Sequence, residues 1–170
     1  MGSTTLLSVE QYLSTTFRPD CDYVEGEIRE RHVGERDHGV VQTELAILLA
    51  NMRSRLGFQV IVEQRMQVAA RRFRIPDVCV ITGSMPLEQV LTAPPFHCIE
   101  VLSKDDTMQE MQERIDDYLS FGVPYVWVIN PRSRKGYVFT GEGSREAKDG
   151  VLRTQDPVIE VPLAEIFALL

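Results

Sequence analysis

The chain has 170 residues and a net charge of −7, with 44% of its residues hydrophobic and 25% charged, proportions ordinary for a globular domain. That length predicts one domain spanning residues 1–170. No apolar run approaches the roughly 20 residues of a membrane helix, and the opening Met1-Gly2-Ser3-Thr4-Thr5-Leu6-Leu7-Ser8 lacks the basic start and apolar stretch of a secretion signal. The expected location is therefore cytoplasmic, with no membrane partner. Three cysteines, Cys21, Cys79 and Cys98, form no CxxC pair, and two sit in apolar runs, as reduced buried thiols do. The acidic balance works against a strongly nucleic-acid-binding surface, because phosphate backbones favour clustered Lys and Arg. Only three of the 18 basic residues are lysines, and a local arginine groove remains compatible with that balance.

Residues 7–12 read as a short helix capped by Ser8, ahead of Val9-Glu10-Gln11. Residues 22–29 read as two short strands around the turn Glu25-Gly26. From Asp37, a plausible cap, the period changes: Val41, Leu45, Leu48, Leu49, Met52 and Leu56 recur at helical steps up to Gly57. Residues 58–70 and 73–81 then predict one long antiparallel hairpin turning at Arg71-Arg72. A turn-rich stretch with a helical turn at 87–91 follows, then a short apolar strand over 96–102. A helix capped by Asp105 or Asp106 carries the stripe Met108, Met111, Ile115, Tyr118 and Leu119 and finishes at Gly122. Residues 125–129 form a central strand covered on both faces, 137–140 another, and 163–170 a closing helix. The architecture predicted is α/β: a central mixed β-sheet flanked by helices.

Two acids interrupt strands that otherwise read as buried: Asp77 in Pro76-Asp77-Val78-Cys79-Val80, and Glu100 in Cys98-Ile99-Glu100-Val101. An ionised carboxylate buried without a partner costs several kcal/mol, so such groups are paired, protonated or metal-bound. Hard oxygen ligands of this kind suit Mg²⁺ or Mn²⁺, and His32, His38 and His97 offer no HExxH or Cys/His alternative. The plain structural alternative is that Asp77 ends a turn after Pro76 while Glu100 pairs with an arginine such as Arg74.

Further motifs in this order carry a resemblance. Arg74-Ile75-Pro76-Asp77, Glu100-Val101-Leu102-Ser103, and Tyr118 followed by residues 122–131 resemble the Uma-two family, bacterial members of the PD-(D/E)XK restriction-endonuclease-like superfamily. Residues 22–27 resemble its early acidic motif, and His38 falls where it has a histidine opening the first long helix. The likeness runs over residues 7–139. It implies a restriction-endonuclease-like fold and an endonuclease hydrolysing DNA phosphodiester bonds, with Asp77 and Glu100 binding Mg²⁺ or Mn²⁺. The Val101 carbonyl and Glu25, or alternatively Asp22, would complete the shell. A homodimer is implied as well.

The superfamily's lysine should stand two residues after Glu100, where this chain has Leu102. In the resembled family the basic group often moves to the next helix, and the matching position is Arg114. Arginine stays charged where a buried lysine can lose its proton, so Arg114 suits charge stabilisation. The ordinary alternative for Arg114 is an i,i+4 pair with Glu110, and for His38 a surface position or a satisfied residue. A nuclease would also need a basic groove, for which Arg53, Arg55, Arg65, Arg71, Arg72 and Arg74 are the candidates. The alternative function is a catalytically inactive binding or assembly protein that kept the fold.

Overall fold

The computed structural model describes residues 6–32 and 34–170. It opens with α1 (Val9–Ser14), β1 (Cys21–Val24), β2 (Glu27–Glu30) and α2 (Arg36–Leu56). β3 (Phe58–Val62), β4 (Met66–Ala69), β5 (Arg72–Arg74), β6 (Val78–Thr82) and β7 (His97–Val101) follow. α3 (Met108–Phe121), β8 (Tyr125–Asn130), β9 (Lys135–Thr140), β10 (Gly143–Glu146), β11 (Val151–Arg153), β12 (Glu160–Pro162) and α4 (Leu163–Ile166) complete the order. The main sheet has six strands in the order β10-β9-β8-β7-β6-β3, and a smaller one has four in the order β2-β1-β5-β4. β7 and β8 are parallel, joined through α3, while the other pairs of the main sheet are antiparallel. The α/β architecture with a mixed sheet between helices is the one predicted.

α2 lays Val41, Leu45 and Leu49 on one face of this sheet, against Val78, Val80, Ile99 and Trp127. α3 lays Met111, Ile115 and Tyr118 on the other, against Cys79, Cys98, Val126 and Val128. Strands covered on both faces read as continuous apolar runs, which is why residues 125–129 look as they do. All three cysteines are buried and free. Among the described residues no helix is long and apolar enough to cross a membrane.

Several boundaries differ from expectation for identifiable reasons. The long strand over 58–70 is broken at Glu63, whose φ is +50°. β3 pairs with β6 in the main sheet, and β4 pairs with β5 in the smaller one. The hairpin thus crosses between sheets, and Asp77 sits at the crossing, its carbonyl accepting from Glu63 N–H at 3.1 Å. No helical turn forms at 87–91, because Leu91 accepts from Gln67 N–H at 2.8 Å and donates to the Arg65 carbonyl at 3.0 Å. Thr107, rather than Asp105 or Asp106, caps α3, since it forms a reciprocal capping box with Glu110. Asp37 is not the cap of α2: it lies in the first turn, bonded to Arg36 at 2.8 Å. The closing helix stops at Ile166, and the carbonyls of Leu169 and Leu170 accept from Arg36 at 3.2 Å and Arg134 at 2.8 Å instead. The caps at Ser8 and Gly57 are as read, Gly57 with φ +69° in the left-handed region.

Leu45, wholly buried between α2 and the sheet, is a direct test of this layering. Leu45→Ala is expected to lower unfolding free energy by about 2–5 kcal/mol, read as a lower urea midpoint with an unchanged m-value.

Candidate active site

The β6–β7 pairing sets Val78 opposite Ile99 and Cys79 opposite Cys98. Asp77 immediately precedes β6 and Glu100 follows Ile99 in β7, so this pairing brings the two acids near one another, with Asp77 itself just outside the ladder. Their relative exposures are 3% and 2%, so both charges have to be met inside the protein.

Asp77 is fully engaged. Its Oδ1 accepts from Arg31 Nη2 at 2.9 Å, and its Oδ2 accepts from Val101 N–H at 2.7 Å. His38 Nε2 stands 3.3 Å from Oδ2. Burial works to raise the Asp77 pKa, but the hydrogen bond and charge of His38, the Arg31 charge and the Val101 amide together hold it below the usual carboxylate range. Burial likewise opposes a charged His38, and Asp77 outweighs it, raising the imidazole pKa. His38 is thus a buried partner of Asp77, not a surface residue, because the first turn of α2 points at the crossing of the two sheets.

Glu100 is met from α3. Tyr118 O–H donates to its Oε1, and Arg114 Nη1 lies 3.5 Å from Oε2. Residues four apart share a helix face, so Arg114 and Tyr118 address the same carboxyl group. Burial pushes the Glu100 pKa up to about 7, with Asp77 adding to the rise and Arg114, Tyr118 and Arg31 opposing it. Arg114 also reaches Asp22 at 3.6 Å and Asp106 at 3.7 Å. Glu100 does stand beside an arginine, as the structural alternative has it, but this is Arg114 rather than Arg74; Glu110 is occupied by the cap of α3 rather than by Arg114.

Asp22, not Glu25, is the early acid brought towards this cluster. Its Oδ2 contacts Arg74 Nη1 at 3.0 Å, and its Oδ1 accepts from Ile75 N–H at 3.1 Å. Glu25 occupies the β1–β2 turn with φ +51°, its side chain half exposed and near Arg71 and Arg72 at 3.7 and 3.6 Å. Nor do the arginines expected to line a groove converge on the two acids. Arg72 and Arg74 bind Asp117 at 2.7 Å each, Arg65 binds Asp20, and Arg53 and Arg55 are exposed in the last turn of α2. The guanidinium that does reach Asp77 belongs to Arg31, which sequence reasoning missed. A lone arginine just after a polar edge strand carries no periodic signal.

Ser103 N–H donates to Asp106 at 2.7 Å, and its hydroxyl donates to the His32 carbonyl at 2.8 Å. Lys104 is exposed, its amide bonded to Glu35 at 3.0 Å. Trp127 is wholly buried core.

As to a metal, no group of three or more His, Cys, Asp or Glu among the described residues is arranged to hold one. Mg²⁺ is nonetheless commonly held by one or two carboxylates, with water and substrate phosphate completing the shell. The donor chemistry of Asp77 and Glu100 fits that requirement, and a cation, the Arg31 guanidinium, already stands in contact with Asp77.

Comparison with known proteins identifies the family and the fold. The Uma2 family, described as "Putative restriction endonuclease", matches residues 9–168. The chain therefore belongs to the Uma2 family and has a nuclease fold. Among solved structures it is similar to a putative nuclease belonging to DUF820 from Anabaena variabilis ATCC 29413. The TM-score is 0.81 at 17% identity, over 95% of this chain and 98% of that one. No curated protein matches.

The raised Glu100 pKa has a stability consequence with a definite sign. Between the unperturbed value of 4.5 and about 7, the folded state binds the Glu100 proton more tightly than the unfolded state does. The contribution of Glu100 to stability is therefore greatest below that window and is lost as pH rises through it. Glu100→Gln has no such titration. In metal-free buffer its melting temperature should improve relative to wild type between pH 5 and pH 7; a constant difference would show that Glu100 does not titrate there.

Proposed function

We propose that this protein is a divalent-metal-dependent endonuclease acting on DNA, with the pair Asp77 and Glu100 as its metal ligands. The observation that supports the reading is the burial of two carboxylates on adjoining stretches of chain, Asp77 just before β6 and Glu100 in β7, the strand paired with β6. The Val101 carbonyl follows Glu100 directly in the chain and is the natural third oxygen; Asp22 is a better fourth than Glu25, since it shares Arg114 with Glu100. A bound Mg²⁺ or Mn²⁺ would polarise a phosphodiester and lower the pKa of a water. Arg114 remains cationic at any working pH and is suited to stabilising charge on a phosphate oxygen rather than to moving a proton. His38 orients Asp77, and Tyr118 orients Glu100, each by a bond to the carboxyl group.

Two exposed cations support DNA as the substrate class. β7 and β8 are parallel, so the loops after them leave the sheet at one edge. Lys104 follows β7, Arg132 follows β8, and Arg132 Nη2 approaches the Ser103 carbonyl at 3.4 Å. Neither side chain has an acidic partner among the described residues, and both flank the end of the strand that carries Glu100. Double-strand cleavage would require two such centres, which a homodimer supplies.

The second reading is a catalytically inactive binding or assembly protein. Leu102 in the lysine position favours it, as does the pairing of Arg72 and Arg74 with acids instead of with open solvent.

The deciding experiment titrates Mn²⁺ into wild type and Asp77→Asn, then assays nicking of supercoiled plasmid. Wild type should bind metal and nick, and Asp77→Asn should do neither. DNA binding without nicking at any metal concentration would favour the inactive reading. Independently, Lys104→Ala with Arg132→Ala should weaken DNA binding and reduce the slope of log K against log salt by about 2. An unchanged slope would move the DNA surface elsewhere.

A further inference from the structure

Arg31 belongs to neither the family motifs nor the acids, yet it is the most completely buried cation at the Asp77 end of the site. Its side chain is 6% exposed, with Nη2 on Asp77 Oδ1 at 2.9 Å and Nη1 3.9 Å from Glu63 Oε2. Burial opposes its charge, and Asp77, followed by Glu100 and Asp22, more than compensates. The guanidinium thus lies in the combined field of the acids that the proposed function assigns to, or beside, a metal ion.

We infer that Arg31 is a built-in competitor of the divalent ion: its guanidinium and the metal exclude one another at Asp77. The inference rests on the metal-binding reading of Asp77 and Glu100. Two positive groups cannot share one oxygen of a buried carboxylate without strong repulsion at low effective dielectric. Asp77 Oδ2 is no substitute, because the Val101 amide and His38 already occupy it. Metal loading therefore begins with Arg31 leaving Oδ1.

Its surroundings allow that departure. The β1–β2 ladder ends at the pair Cys21 and Glu30, so Arg31 lies outside it and no strand pairing breaks when its side chain moves. Glu63, whose side chain is 49% exposed, offers a second carboxylate one step towards solvent. An arginine exchanging a buried partner for a half-exposed one keeps its charge compensated throughout. In the metal-free protein the Arg31–Asp77 pair supplies the neutralisation that an ion would otherwise give, and removing one member of such a pair leaves an uncompensated buried charge.

The test compares Mn²⁺ binding by calorimetry, and by the electron spin resonance signal of free Mn²⁺, in wild type, Arg31→Gln, Arg31→Lys and Arg31→Gln with Asp77→Asn. Arg31→Gln should bind Mn²⁺ on the order of tenfold or more tightly than wild type, since a full opposing charge has gone. Its metal-free melting temperature should be lower, and the rise on adding Mn²⁺ larger. Arg31→Lys keeps the charge and should bind like wild type, which separates electrostatic competition from loss of bulk. The double variant should lose the gain. If Arg31→Gln binds Mn²⁺ no better than wild type while Asp77→Asn abolishes binding, the competition is refuted and the metal site stands. If neither wild type nor Arg31→Gln binds at millimolar Mn²⁺, the metal reading falls and the competition with it.

Discussion

Asp77 and Glu100 are both buried near one another, Asp77 just before β6 and Glu100 in the paired β7, and the neighbouring elements answer to their charge. Arg31 comes from the end of β2, His38 from the first turn of α2, and Arg114 and Tyr118 from one face of α3. Each partner is itself held by further groups, as Arg114 is by Asp22 and Asp106. Pairing of this kind is required rather than optional, since an unpaired ionised group in this environment costs several kcal/mol. The two sheets are joined through it as well as through apolar packing: Asp22 and Arg74 belong to the smaller sheet, Glu100 to the larger, and Arg114 contacts both acids.

The same constraint explains the crossing of the hairpin. A straight ribbon over residues 58–81 would carry Asp77 into a ladder position with its carboxylate against apolar neighbours. With the bend at Glu63, Asp77 falls between β5 and β6, where its carbonyl is used by Glu63 and Gln42 and its carboxylate is free to turn towards Val101 and α2. Pro76 suits that position, because it donates no amide and disrupts no ladder.

Local signals were readable wherever one residue type enforces one geometry. Ser8 and Gln11 form their capping box, Gly57 and Gly122 end their helices in the left-handed region, and the apolar run at Tyr125–Asn130 is the strand buried on both faces. The odd placement of Asp77 and Glu100 in apolar strands was legible too, since acids are rarely fully buried. What was hidden depends on contacts far apart in the chain. Arg31 and Asp77 are 46 positions apart, and Arg74 and Asp22 are 52; no periodicity announces such pairs. The early acidic motif alone does not choose between Glu25 and Asp22; β1 pairing with β5 is what turns Asp22 inward and leaves Glu25 at the turn.

The buried acids of the centre are met by arginines rather than lysines. Arg31 stands on Asp77, Arg114 near Glu100, Asp22 and Asp106, and Arg74 on Asp22, while Asp77 favours the charged form of His38. Each of these buried acids is thus met by a cation from within the protein. A lysine at position 114 could shed its proton when an ion arrives and so relieve the excess positive charge; an arginine cannot. On the proposed metal-binding reading the excess charge would have to leave by movement, and Arg31, outside the β1–β2 ladder and within reach of the half-exposed Glu63, is the cation best situated to move.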